Sequence, residues 1–496
     1  MNTFTGKSIW RIRHTDEMRS ILEVVLNSYR HFQKKQEENP MKNMTLANIA
    51  AACGGIYHGK EEDRNKEVLS ITTDSRKAEP GSLFIAIRGE RVDGHDFVDS
   101  VFEKGALCVL SEQELPEAEG NYILTTSTLQ AIKDLAEFYR QQLSVRVVGI
   151  TGSVGKTSTK EMIASVLSEK YRVLKTLGNF NNELGLPLTV FRLTEEDEVA
   201  VLEMGISDFG EMHRLSKIAR PDICVMTNIG QCHLEFLHDR DGILRAKSEI
   251  FDFIAEDGKI VLNGDDDKLS TLHEVKGITP VFFGLESGRE IYADELVSKG
   301  LRGTVCRIHT PEGETEVHVP LPGRHMVMNA LAGTAVGLEL GLSLEEIRRG
   351  IEKVEALNGR FHMIEHNGML IVDDCYNASP VAMMASLDIL MDAEGRKVAI
   401  LGDMFELGEN ELELHAGVGA HASRNAIDLL ICVGERCRHM AEAAFEGGGC
   451  GEVLSIPTLD ALLETLPKLV QTGDTILVKA SHGMHFEKVV EKLQTL

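Results

Sequence analysis

Between positions 149 and 158 the chain carries Gly149, Gly152 and Gly155, followed by Lys156, Thr157 and Ser158. The apolar run Val147-Val148-Gly149-Ile150 leads into this stretch, and an amphipathic helical pattern leaves it. A glycine turn between a strand and a helix aims several backbone N–H groups at one point, where a lysine and a hydroxyl complete a cradle for nucleotide phosphates and Mg²⁺. The strict pattern G-x-x-x-x-G-K-[ST] is not met, because Ile150 stands where its first glycine belongs. The spacing is instead G-x-x-G-x-x-G-K-T, a narrower signal. Gly152, Ser153, Gly155, Lys156, Thr157 and Ser158 are therefore the candidate phosphate ligands. The plain alternative, a glycine turn with an exposed lysine, is disfavoured by the strand before it and the helix after it.

A phosphate loop of this kind needs a cation, and Mg²⁺ takes one or two carboxylates with water and phosphate oxygens. Thr157 offers the hydroxyl. Glu203, which ends the apolar strand Ala200-Val201-Leu202, offers the carboxylate, since an acid at a buried strand end is costly without a cation. A salt-bridged strand end is the competing reading. His233 and Lys247 are not chosen by residue type alone, because a lone histidine is more often a satisfied structural residue and a lone lysine is usually solvated. The cluster Thr73-Asp74-Ser75-Arg76 precedes the Pro80-Gly81 turn, where it reads equally as a ligand-facing strand end or a capped surface turn.

What must position these groups is an alternation of strand and helix. After the loop, strands are expected at 200–203, 223–228 and 259–263, which implies a mainly parallel sheet with ligands at its carboxyl edge. Glu203, Asn228 and Asn263 each end a strand there. A β-rich insertion is expected at about 280–320 and a helix over 324–340, carrying Asn329. Strands at 397–402, 429–434 and 475–479 mark a second doubly wound unit. The expected fold is α/β with three domains: a small α/β domain at 41–143, a central phosphate-loop domain with a parallel sheet at 144–356, and a Rossmann-like domain at 357–496. Residues 1–40, with a helix-like run at 16–35, read as a peripheral extension.

Length agrees with this division, since 496 residues exceed what one core supports. A formal net charge of −25 argues against broad binding of nucleic acid or anionic membranes. Any anionic substrate must be gathered by local donors. The nine cysteines include no C-x-x-C pair, so neither a zinc ribbon nor a disulfide framework is suggested. With neither a membrane-length apolar run nor a signal-peptide pattern, a cytoplasmic protein is expected.

From about residue 41 onward the chain resembles the Mur ligases. The resemblance is carried by the phosphate loop, Glu203-Met204-Gly205, Asn228-Ile229-Gly230 with His233, Arg245-Ala246-Lys247-Ser248-Glu249, Asn329-Ala330, Asn358-Gly359-Arg360, and Asp373-Asp374-Cys375-Tyr376-Asn377-Ala378-Ser379-Pro380. It implies an ATP-dependent amide ligase with two Mg²⁺ sites, Thr157 and Glu203 near one, His233 and Lys247 near the other. It also implies a carbamylated Lys247, which is physically sensible, because a carbamate supplies oxygen ligands where an ammonium would repel a cation. Asn329 is implied at the nucleotide, with Arg360 and Asp374 where the third domain closes over ATP. Lys156, His233, Lys247 and Arg360 are the implied catalytic residues.

The variable parts resemble the branch of the family that adds a dipeptide. Ser75 and Arg76 lie in what looks like the family's UDP-binding domain, and Asn181 and Asn182 lie in what resembles its loop near the UDP-muramoyl substrate. Asn377 and Ser481 are implied on the acceptor side. The implied reaction joins D-alanyl-D-alanine to UDP-N-acetylmuramoyl-tripeptide through an acyl phosphate, in peptidoglycan precursor synthesis, by a monomer. Competing readings are a ligase adding diaminopimelate or lysine, a folylpolyglutamate synthetase, and a non-catalytic nucleotide-binding scaffold. Two departures from the pattern stand out. Ser379 and Ala382 replace Asn and Ser, and Lys479-Ala480-Ser481-His482 replaces Lys-Gly-Ser-Arg, exchanging a permanent cation for a titratable ring.

Overall fold

Three β-sheets organise the chain in the structure, a computed structural model that describes residues 40–89, 92–117, 119–230, 232 and 234–496. The extension expected at 1–40 lies outside the described residues but for Pro40, and His233 lies outside them as well. The chain divides into two compact units. One takes in the residues up to Ser144 together with Pro187–Glu195, and the other holds Val145–Leu186 and Glu196–Leu496.

The first unit is built on β1 (Ile56–His58), β2 (Ser70–Thr72), β3 (Ser82–Ile85), β4 (Cys108–Ser111) and β5 (Asn121–Leu124), in the order β1-β5-β4-β3-β2. Only β1 runs antiparallel to its neighbour. Every residue of β3 and β4 is buried, as expected of central parallel strands covered on both faces. The helix Thr128–Arg140, capped by Ser127 accepting from the Gln130 N–H, buries Ala131, Ile132, Leu135, Ala136 and Tyr139 along one stripe.

The second unit holds two sheets. The larger comprises β6 (Arg146–Thr151), β7 (Val173–Lys175), β8 (Val199–Glu203), β9 (Ile223–Met226), β10 (Lys259–Asn263), β11 (Val281–Gly284), β12 (Ile291–Ser298), β13 (Thr304–Thr310) and β14 (Gly313–Val319). Their order is β14-β13-β12-β11-β10-β9-β6-β8-β7. The chain leaves β6 toward β7 and β8 on one side and returns to β9 on the other, so the loop after β6 sits at the switch point where open α/β sheets bind ligands. The β-rich stretch expected as an insertion continues this sheet, with β11 and β12 added in parallel and β13 and β14 antiparallel. In β13, Thr304, Cys306 and Ile308 are buried in alternation, the pattern of a sheet with one covered face. Helices Lys156–Leu167 and Arg324–Glu339 share its core through Met162, Ile163 and Val166 on one and Val327, Leu331 and Val336 on the other.

The remaining sheet comprises β15 (His362–His366), β16 (Met369–Asp373), β17 (Arg396–Gly402), β18 (Leu429–Val433), β19 (Glu452–Ile456) and β20 (Asp474–Lys479), ordered β15-β16-β20-β17-β18-β19. All but β15 pair in parallel. The register sets Asp373 beside Val478 and Leu401 beside Lys479, so the carboxyl ends of β16, β20 and β17 open side by side. Among the described residues no helix is long and apolar enough to cross a membrane.

Candidate nucleotide and ligation site

The loop after β6 is shaped by its glycines and held by the strand beside it. Gly155 adopts φ 84° as it caps the helix Lys156–Leu167, a left-handed conformation that favours glycine. A Cβ on Gly152 would stand 2.0 Å from Thr227 Oγ1, so no side chain fits there. Val154 is clasped from both of its polar backbone atoms. Its N–H donates to Asn228 Oδ1 at 2.9 Å, and its carbonyl accepts from the Thr227 hydroxyl at 2.7 Å and from Asn228 Nδ2 at 2.9 Å. Ser153 Oγ accepts from the Gly230 N–H at 2.9 Å. The Lys156 ammonium rests on the Gly152 carbonyl at 2.9 Å, inside the loop it would serve. Ser158 follows in the first turn of the helix.

Glu203 ends β8 and is buried beside the loop's hydroxyl. Its Oε1 accepts from Thr157 Oγ1 at 3.2 Å and from Asn181 Nδ2 at 2.8 Å. Among the described residues its Oε2 is buried without a hydrogen-bond donor. The Lys160 ammonium lies 3.8 Å from that oxygen but donates instead to the Thr176 carbonyl at 2.7 Å and faces Glu161 at 3.2 Å. A half-satisfied buried carboxylate beside a threonine hydroxyl is a hard-oxygen donor set that fits Mg²⁺.

Lys247, near the end of the helix Arg240–Ser248, is also buried. Desolvation, reinforced by the Lys156 charge, pulls its pKa down from the usual lysine range to about 7, with Cys232 opposing. An amine is not an oxygen donor, so Lys247 fits a second Mg²⁺ only in a modified form. The structure does not place its expected companion His233 among the described residues.

Arg360 reaches the loop from the other sheet. Its Nη2 donates to Thr157 Oγ1 at 3.3 Å, and its guanidinium lies 4.2 Å from the centre of the Tyr376 ring, which in turn tilts against His482 at 5.4 Å. Asp373 and Asp374 grip the backbone on either side of it. Asp373 Oδ2 accepts from the Gly359 N–H at 2.9 Å, and Asp374 Oδ1 accepts from the Phe361 N–H at 3.2 Å. The other oxygen of Asp374 takes the buried Lys479 ammonium at 2.6 Å and the Ser386 hydroxyl at 2.7 Å. Asp374 is thus fully engaged within the protein. Asn329 lies closer to the loop, its Oδ1 accepting from the Thr159 hydroxyl at 2.8 Å.

Ser481 is buried between the ends of β17 and β20, with its Oγ accepting from the Phe405 N–H at 2.9 Å. Asn377 is exposed, and its side chain accepts from the Ala378 N–H at 2.9 Å. Asn182, also exposed, accepts from the N–H groups of Leu184 at 3.2 Å and Gly185 at 2.8 Å, a local cap. Ser379 caps the helix Pro380–Leu390, with proline at its first position. In the first unit Arg76 forks onto Asp74 at 2.8 and 2.9 Å, which holds that carboxyl low, at about 2, and Ser75 accepts Lys104 on its carbonyl. Sequence reasoning missed Lys160, Thr227 and Lys479 as members of the site. Lys160 shares a helix face with Thr157, three residues earlier, and a charge amid buried positions was the available signal.

The second unit therefore brings together the phosphate loop with Lys156 and Thr157, Glu203 with Asn181, Asn329, and Arg360. A phosphate loop at a switch point, an acid beside its hydroxyl and an arginine from a second α/β sheet are the working parts of a nucleotide-driven ligase. Matching families are described as the Mur ligase middle domain over residues 150–337, the Mur ligase, glutamate ligase domain over 359–482, and the Mur ligase family, catalytic domain over 67–143. The chain belongs to the Mur ligase family and is an ATP-dependent, peptide-forming ligase. Among its relatives, the UDP-N-acetylmuramoyl-tripeptide–D-alanyl-D-alanine ligase of Bacillus subtilis (strain 168) is 38% identical, over 91% of this chain and 99% of that protein. The enzyme of the same name from Escherichia coli (strain K12) is 35% identical over 92% and 99%. Among solved structures, MurF from Acinetobacter baumannii aligns with TM-score 0.83 and 34% identity, covering 92% of this chain and all of that one. MurF ligase from Thermotoga maritima in complex with ADP aligns with TM-score 0.76 and 31% identity, covering 86% and 97%.

Proposed function

We propose that this ligase joins D-alanyl-D-alanine to UDP-N-acetylmuramoyl-tripeptide and cleaves ATP to ADP and phosphate, in the cytoplasm and as a monomer. The observation that carries the reading is the meeting of Thr157, Glu203 and Arg360 at the phosphate loop, in a chain whose relatives of that name match along almost their whole length. The terminal carboxylate of the tripeptide attacks the γ-phosphorus, forming an acyl phosphate and releasing ADP. The amine of the dipeptide then adds to the acyl carbon, phosphate leaves, and an amide remains. Repulsion between carboxylate and phosphate is the main obstacle to the first step. Lys156 offsets it by exchanging the carbonyls it now holds for phosphate oxygens, and Arg360 offsets it from the opposite sheet.

Thr157 and Glu203 would hold Mg²⁺, which supplies positive charge at the phosphates. Lys247 is the carbamylation site: its desolvated amine adds to CO₂ and loses a proton, leaving an oxygen donor for a second Mg²⁺ with His233. Gly152, Ser153, Gly155, Ser158, Asn329 and Asp374 complete the nucleotide site. Asp374 acts there by holding the backbone next to Arg360. Ser75, Arg76, Asn181 and Asn182 serve the UDP-muramoyl substrate, and Asn377 and Ser481 the dipeptide. The functional division follows residues 41–143, 144–356 and 357–496. The test is phosphate release from ATP in the presence of UDP-N-acetylmuramoyl-tripeptide, with D-alanyl-D-alanine or single amino acids as acceptor. Stimulation by the dipeptide is expected, and its absence sinks the assignment.

A further inference from the structure

Asp403, His415 and Cys437 bring a carboxylate oxygen, a ring nitrogen and a sulfur within 4.8 Å of one another, all buried, in a part of the carboxyl-terminal sheet to which no role has been given above. The arrangement invites a metal, but its hydrogen bonds exclude one. His415 Nδ1 is 2.6 Å from the Glu411 carbonyl, which can only accept, and Nε2 is 2.9 Å from the Met404 N–H, which can only donate. Both ring nitrogens are committed, and the ring is the neutral Nδ1–H tautomer. One oxygen of Asp403 is engaged as well, Oδ1 accepting from the Cys437 N–H at 2.7 Å, and Oδ2 faces the Arg436 guanidinium at 3.8 Å.

These bonds converge on residues 403–405, the turn that leaves β17. The Asp403 carbonyl accepts from the Ser481 N–H at 3.1 Å, and the Phe405 N–H donates to Ser481 Oγ at 2.9 Å. The Phe405 ring lies so close to Gly483 that a Cβ there would stand 3.1 Å from it. Ser481 is therefore bonded on both sides to a turn whose middle amide is held by His415.

We propose that His415 is a positioning residue for the acceptor: as a neutral ring it fixes the 403–405 turn through the Met404 amide, and through that turn it sets Ser481 and the backbone leading to His482. The inference rests on the reading of Ser481 as an acceptor-side residue. The charged and titratable groups facing the ring are Glu411 on its own helix, Asp403 at the end of β17, and Arg436 and Cys437 at the start of the helix Cys437–Gly447. Protonation would set a donor at Nε2 against the Met404 donor and open the turn.

The experiment compares the unaltered enzyme with His415→Gln and His415→Asn. Glutamine carries an acceptor out to where Nε2 stands, whereas asparagine ends at the Nδ1 position. In His415→Asn the KM for dipeptide should rise about 10-fold, the loss of one buried hydrogen bond, while the KM for ATP stays within about twofold. Exchange of the Met404 and Phe405 amides should accelerate by about 10-fold or more, and His415→Gln should restore both readouts. Unchanged amide protection in His415→Asn, or a parallel rise in both KM values, overturns the proposal. Amide exchange is read without substrate, so an enzyme that ignores the dipeptide defeats the acceptor reading separately. If His415→Asn does not fold, ¹⁵N spectra of the imidazole in the unaltered protein decide: a neutral Nδ1–H ring supports the proposal, and a proton on Nε2 overturns it.

Discussion

The guanidinium of Arg360 donates to the hydroxyl of Thr157 across 3.3 Å, joining residues 203 positions apart. The segment that delivers Arg360 is strained. Phe361, next in sequence, has φ 56°, a left-handed conformation that costs a bulky residue about 1–3 kcal/mol. It persists because Asp373 and Asp374 take the N–H groups on both sides of the arginine.

Replacing Arg360 tests whether that placement serves catalysis. Arg360→Lys keeps the charge but loses the planar fork and the face contact with Tyr376. We expect kcat to fall about 10²–10³-fold, the usual cost of removing a donor from a developing anion, with little change in melting temperature. Steady-state phosphate release and thermal melting together check this. An undiminished kcat would remove Arg360 from the chemistry.

Asp374→Asn leaves the Lys479 ammonium, 5% exposed, without its counter-charge. Breaking a buried pair on one side costs about 3–5 kcal/mol. The denaturant midpoint should drop accordingly, and kcat should fall with it as the grip on Phe361 weakens. A loss below about 1 kcal/mol would show that Lys479 finds compensation elsewhere.

Glu203→Gln removes a buried charge whose Oε2 has no donor among the described residues. Without Mg²⁺ the loss of stability should stay below the roughly 3–5 kcal/mol typical of a broken buried pair, at about 1 kcal/mol or less, because Lys160, 3.8 Å from that oxygen, keeps Glu161 and the Thr176 carbonyl as partners. Calorimetry with ADP should show that Mg²⁺ no longer strengthens binding. Retained Mg²⁺ dependence would place the ion elsewhere.

Lys247→Ala should abolish turnover, and short carboxylic acids supplied in solution should restore part of it by providing the oxygens that the proposed carbamate would supply. Labelling with ¹³CO₂ should give a carbamate signal in the parent that the variant lacks. Full activity in the variant would strike Lys247 from the site.

The pH dependence of stability follows from His415, whose burial holds its pKa below the ordinary 6.5. Below about pH 6.5 the unfolded chain takes up a proton that the folded chain refuses. The stabilisation is therefore complete above that pH and is lost as the pH falls through the depressed folded value. Between pH 7 and 5 the denaturant midpoint of the parent should drop further than that of His415→Gln. Equal slopes would show that this histidine does not control the acid limb.

The parts of this site that could be read in the sequence are those whose physics is local. Lys156 and Thr157 follow their glycines directly, and Glu203 betrays itself as an acid at the end of an apolar strand. The alternation of strands and helices likewise exposed the parallel sheet. What joins these parts was hidden. The amide of Asn181 on Glu203, the grip of Asp373 and Asp374 around Arg360, and the pairing of Asp374 with Lys479 each unite residues that only the sheet order makes neighbours. Lys160 was obscured differently, since a lysine is ordinarily solvated and this one is buried by a helix face that also carries the loop's threonine.

The clasp on Val154 bears on the rhythm of turnover. Thr227 and Asn228 hold that residue by its N–H and its carbonyl, so the curve of the loop exists whether or not a nucleotide is present. The entropy of ordering it is lost once, when the polypeptide first folds, and not again in every round of ATP consumption. Departing ADP leaves behind a cradle already curved for the next ATP.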